Sequence, residues 1–79
     1  MTKQQIIHIT NAFFVEKLDF TPSQIYPDAE LRRDLGISSV DAIAIASFVQ
    51  ETFGCPIIIA EVKALITLQD LYDYIEEYQ

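Results

Sequence analysis

The stretch Asp34-Leu35-Gly36-Ile37-Ser38-Ser39-Val40-Asp41 holds the residues best placed to do chemistry. Gly36 can take the positive φ of a sharp turn without steric cost. Ser38 and Asp41 have the S-x-x-D spacing of a helix start, in which a hydroxyl and a carboxylate face unpaired backbone amides. On that register Ser39 is the first helical residue. Its hydroxyl lies near the positive end of the helix dipole, where an attached anion would be stabilised. Spacing alone also allows a plainer role, in which both serines only cap a helix.

The rest of the chain offers little other chemistry. His8 is the one histidine, so no Ser-His-Asp or Cys-His arrangement has a credible base, and the chain is not expected to be an enzyme. His8 falls on the polar side of its segment and reads as a surface residue. Cys55 is alone, which excludes an internal disulfide, and no Cys/His cluster points to zinc or another metal. A net charge of −7 argues against nucleic acid as a partner. No segment approaches roughly 18 uninterrupted apolar residues and no apolar leader opens the chain, so a soluble, cytoplasmic protein without membrane insertion is expected. Its 79 residues suit one domain, 1–79, near the lower limit for a core without staples.

The elements that must position Ser39 follow from periodicity. At about 100° per residue, Ile6, Ile7, Phe13, Phe14 and Leu18 share one sector of a first helix. That helix should end near Leu18, because Thr21-Pro22 supplies a new cap and a first-turn proline. A short turn over 23–26 and a long loop to Gly36 follow, with Leu31 and Leu35 as anchors and Arg32-Arg33 as a charged pair. In the second helix, 39–53, Ala42, Ile45, Ala46, Val49 and Phe53 form a core-facing sector. Val40, Ile43, Ala44 and Phe48 lie outside it, so this helix has a second apolar face available for docking or cargo. Gly54 closes the helix. The run 55–59 has strand-like propensity but no partner strand, and is expected as an extended loop. A short helix over 60–65 and a last one beginning at Thr67 complete the chain, with Leu68, Leu71, Tyr72 and Ile75 on one face.

The motif D-L-G-x-[DS]-S-[LV]-D before an apolar helix resembles the attachment site of acyl carrier proteins. Ala29-Glu30-Leu31, Phe53-Gly54, Thr67-Leu68-Gln69-Asp70 and Asp73-Tyr74-Ile75 extend the resemblance over essentially the whole chain. In that family the serine after an aspartate carries 4′-phosphopantetheine; here it falls on Ser39, with Ser38 in the Asp position and Val40 in the Leu position. The resemblance implies an all-α, four-helix acyl-carrier-like bundle with a long first loop and a short third helix. It further implies a monomeric carrier of acyl thioesters, loaded by a phosphopantetheinyl transferase and served by acyl-loading and acyl-processing enzymes. Val40, Asp41, Ile43, Ala44 and Glu51 are the expected partner-binding residues. Cargo could enter a slit in such a bundle, where about seven buried methylenes would contribute roughly 5–6 kcal/mol.

The chain also departs from that family. Ala44 and Gln50 stand where the second helix usually shows acids, which weakens steering towards basic partners and points away from general fatty-acid synthesis to a specialised fatty-acid or polyketide-type pathway. Arg32 and Arg33 replace apolar or acidic residues, and Ile58-Ile59 replaces a common Pro-Asp. These departures leave an alternative open: an unmodified acyl-carrier-like subunit that joins a larger complex through its apolar face.

Overall fold

The computed structural model describes residues 1–79 as four α-helices: α1 (Lys3–Lys17), α2 (Ser39–Phe53), α3 (Ile59–Ala64) and α4 (Leu68–Tyr78). One 3₁₀ turn, Pro22–Gln24, interrupts the first loop. The all-α bundle expected from the sequence is the architecture found, with α1 packed on α4 and α2 on α3.

The three long helices, α1, α2 and α4, each start where a short polar side chain accepts a backbone N–H. Thr2 caps α1 and Gln5 reaches back to the Thr2 amide; Thr67 and Asp70 repeat this at α4. α1 ends as expected near Leu18. Asp19 supplies the turn by adopting a left-handed conformation, φ 63°, and Phe20 donates back to the Phe14 carbonyl at 3.2 Å. α2 ends in a left-handed Gly54, φ 64°. Residues 54–58 form no regular element, and α3 begins at Ile59, one residue earlier than the sequence pattern placed it.

The first loop is fastened rather than free. Ile25, Ala29, Leu31 and Leu35 enter the core. The Leu31 amide donates to the Ile66 carbonyl at 2.8 Å and the Leu68 amide to Ala29 at 3.0 Å, an isolated antiparallel bridge centred on Glu30 and Thr67.

The core face of α2 is Ala42, Ile45, Ala46 and Val49, all buried. Phe53, assigned to that face by its angle, is only half-buried: it sits in the last turn and sets its ring edge-on to Phe48, 5.6 Å away. Phe48 stacks on Phe13 of α1 at 4.1 Å. On α1, Ile6 and Phe14 are buried, and between them lies Thr10, a fully buried polar residue that an apolar pattern passes over. Across α1 and α4, the buried Tyr72 donates its hydroxyl to Asn11, and Lys3 pairs with Asp73 and Glu76.

Candidate functional site

The approach to Ser39 is a wound turn. Asp34 and Leu35 donate their amides to the Glu30 carbonyl at 2.9 and 3.1 Å, and Ile37 donates to Leu31 at 2.9 Å. The Asp34 carboxylate accepts the Glu30 amide at 2.8 Å. Gly36 completes the turn at φ 62°, where a Cβ would meet no atom within 4 Å. Glycine is therefore required here by conformation and not by space.

That turn delivers two serines to different fates. Ser38 is the N-cap: its Oγ accepts the Asp41 amide at 3.1 Å, and the Asp41 carboxylate accepts the Ser38 amide at 3.1 Å. Ser39 follows as the first residue of α2; it is exposed, and its hydroxyl makes no side-chain hydrogen bond within the chain. One serine is occupied by the fold, and the other presents a free hydroxyl to solvent.

Ser39 opens on a cleft of about 230 Å³ between the first loop, the start of α2 and α3. Leu31, Ile37, Ala42, Val62 and Leu65 give it an apolar lining, and Arg32 and Lys63 stand among them. The volume is below the roughly 300–1,000 Å³ of pockets that enclose a drug-sized ligand, so the cleft cradles a segment of chain and does not swallow one. This donor set suits a phosphodiester: an exposed hydroxyl, two cations, and no carboxylate in the lining. Lys63 was not singled out by the sequence, and Arg32 stood there only as one of a charged pair.

The expected partner residues divide. Val40 is 74% and Ile43 50% exposed, and Glu51 is exposed on the same side of α2. Ala44 is half-buried, and the Asp41 carboxylate is engaged in the helix cap. The exposed Ile58 and Ile59 join Ile43 around a shallow groove beside α2, widening the apolar face. Gln50 does more than vacate an acidic position. Its Nε2 donates to the Ile57 carbonyl at 2.6 Å and ties α2 to the segment before α3.

The remaining ionisable groups belong to the fold. Burial pushes the Cys55 thiol up, which removes thiolate character and leaves it a packing residue. Glu61 is held below the usual carboxylate range by the Ile58 amide and the Tyr74 hydroxyl. Tyr74 is pushed up to about 12, first because its phenol donates to Glu61 and then by burial. No group of three His, Cys, Asp or Glu residues is placed to hold a metal ion. No helix is long and apolar enough to cross a membrane.

An exposed serine at the head of α2, in a small helical bundle, is an arrangement that suits a phosphopantetheine-attachment type of domain. The family model described as "Phosphopantetheine attachment site" matches residues 11–75. The chain is similar to the acyl carrier protein of Cyanidioschyzon merolae, 32% identical over all of this chain and 87% of that protein. It is 29% identical to the acyl carrier protein of Thermosynechococcus vestitus over 95% of this chain and 93% of the relative. With that of Campylobacter hominis it shares 34% identity over 78% of each. The chain belongs to the acyl carrier protein family. Membership implies a covalently attached 4′-phosphopantetheine.

Proposed function

We propose that the protein carries acyl intermediates as thioesters on 4′-phosphopantetheine attached to Ser39. One observation supports this above the others: the Ser39 hydroxyl is exposed and free, whereas that of Ser38 is held by the Asp41 amide. When bound, the group supplies a thiol at the end of a long arm. The chain's own part is to present Ser39, keep the arm's root beside the cleft, and offer α2 to whichever enzyme visits. Loading forms the Ser39 Oγ–P bond, breaks the P–O–P bond of coenzyme A so that adenosine 3′,5′-bisphosphate leaves, and passes the hydroxyl proton to a base of the phosphopantetheinyl transferase.

The partner surface in this reading is Val40, Asp41, Ile43, Ala44 and Glu51. Its apolar centre and few acids favour a dedicated set of acyl-loading and acyl-processing enzymes in a specialised fatty-acid or polyketide-type pathway. The bundle, residues 1–79, works as one cytoplasmic, monomeric domain without nucleic-acid partners, in keeping with its net charge of −7.

Separate incubation of Ser39→Ala and Ser38→Ala with a broad-specificity phosphopantetheinyl transferase and coenzyme A tests the assignment. Intact-mass spectrometry should find Ser38→Ala modified and Ser39→Ala unmodified. Modification of Ser39→Ala at the wild-type rate would refute it. If protein isolated from its own cells never carries the group, the rival holds: an unmodified subunit docking through the exposed face around Val40 and Ile43.

A further inference from the structure

The cations of this acidic chain are unevenly placed. Of five Lys and Arg residues, Lys3 is committed to Asp73 and Glu76, and Arg33 lies 3.9 Å from Glu30. Lys17, Arg32 and Lys63 make no salt bridge. Lys17 stands in the last turn of α1. Arg32, from the first loop, and Lys63, from α3, line the same cleft as Ser39. The chain has twelve carboxylate side chains, and none lines that cleft. Of the carboxylates nearby in sequence, Asp34 accepts the Glu30 amide, Asp41 the Ser38 amide, and Glu61 the Ile58 amide and the Tyr74 hydroxyl, while Glu30 stands by Arg33 in an adjoining pocket that Arg32 and Lys63 also border.

We propose that Arg32 and Lys63 hold the phosphodiester on Ser39, so that the root of the arm rests against Leu31, Val62 and Leu65 instead of swinging free. This rests on the carrier reading given above. A phosphodiester bears one negative charge, which the chain's net charge of −7 repels at long range. Two unpaired cations at the same cleft reverse that sign locally. The guanidinium of Arg32 can meet two phosphate oxygens at once, and the ammonium of Lys63 acts as a point charge from α3. Exposed ion pairs are individually weak and screened by salt. The hold is therefore a bias on where the arm resides, reversible when a partner enzyme draws the arm out. The same cations could instead meet an acidic partner, in which case the phosphate of the isolated protein would be unrestrained.

The test uses phosphopantetheine-loaded wild type, the double variant Arg32→Gln/Lys63→Gln, and Lys17→Gln as a remote control. Intact mass first establishes loading on each; a wild type that takes no group fails the carrier reading and this inference with it. Phosphorus-31 NMR is then recorded from about 10 mM to about 1 M salt, over which the screening length falls from about 30 to 3 Å. Wild type and Lys17→Gln should show a broadened, displaced resonance at low salt that moves to the position of a free diester at high salt. The double variant should sit at the free position throughout. Loading should also shift the backbone amides of Leu31, Val62 and Leu65, and the double variant should lose at least half of that shift. Identical phosphorus positions and widths in loaded wild type and double variant at low salt would overturn the proposal. If the double variant then also weakens a partner's KM, the cations belong to an acidic partner.

Discussion

The two sides of the bundle are held by different forces. Between α1 and α4 the contacts are directional: Tyr72 to Asn11, Lys3 to Asp73 and Glu76, and the N-terminal amine to Gln79 at 3.0 Å. α2 is held by Ala42, Ile45, Ala46 and Val49 and by the Phe13–Phe48 stack, while Val40 and Ile43 on its outer face meet water. Hydrogen bonds fix a register, whereas apolar burial is non-directional and tolerates small displacements. The helix that Ser39 heads has fewer directional ties to its neighbours, the one from Gln50 to the Ile57 carbonyl. A small protein can thus be rigid where its ends meet and adjustable where its exposed serine stands.

The largest effect that bears on this contrast is within α2 itself. Ile45→Ala should cost about 2–5 kcal/mol, because Ile45 is fully buried and its removal leaves a cavity. Ile43→Ala should stay within about 1 kcal/mol, since half of that residue is already in water. Urea unfolding of the pair measures both. Equal losses would mean that the outer face is core and that the two sides do not differ.

At the head of α2, Ser38→Ala should cost about 0.5–2 kcal/mol through the lost cap, again by urea unfolding, without preventing modification of Ser39. On the other side, Tyr72→Phe should cost about 1 kcal/mol, as the half-buried Asn11 loses its donor. A Tyr72→Phe variant as stable as wild type would remove the distinction between polar and apolar sides.

Tyr74 sharpens the comparison, because it ties α4 to the far side through Glu61 and the Pro56 carbonyl. Its folded pKa of about 12 lies above the ordinary 10.0, so the stabilisation is fully present below pH 10 and is lost as pH rises towards 12. Asp73 runs the other way. Its hydrogen bond from Lys3, and then that from Gln69, hold it below 3.8, so its contribution is present above that value and fades as pH falls through the folded pKa. Melting temperature against pH should show a small alkaline loss that Tyr74→Phe removes and a small acid loss that Asp73→Asn removes.

Much of this was legible in the sequence, for reasons that can be traced to particular residues. Helix starts were readable because capping is local: Ser38 with Asp41 and Thr67 with Asp70 are three residues apart and bond as their spacing implies. The α2 core face followed from angle alone, except at Phe53, where the helix ends. Thr10 escaped because hydroxyls do not enter an apolar count. Gln50 and Lys63 escaped for a different reason. The bond from Gln50 to Ile57 spans the Gly54 turn, and Lys63 reaches the Ser39 cleft only once α3 has folded against α2. Neither has a spacing that marks it. The Gln50 bond also alters an engineering choice: an acid at 50 would set a carboxylate against the Ile57 carbonyl, so Ala44→Glu is the cleaner way to add steering charge.

The antiparallel bridge between the first loop and the α3–α4 joint sets how the molecule should exchange its amide hydrogens. Leu31 and Leu68 are pinned across that bridge and buried, so their amides should wait for global unfolding. α3 has only six residues, one of them, Val62, deeply buried, and a helix that short is marginal without its packing. Its amides should exchange through a local opening that leaves the bridge closed. Since Val62 and Lys63 form one wall of the Ser39 cleft, the width of that cleft is governed by the segment that melts most cheaply, hinged on one of the segments that melt last.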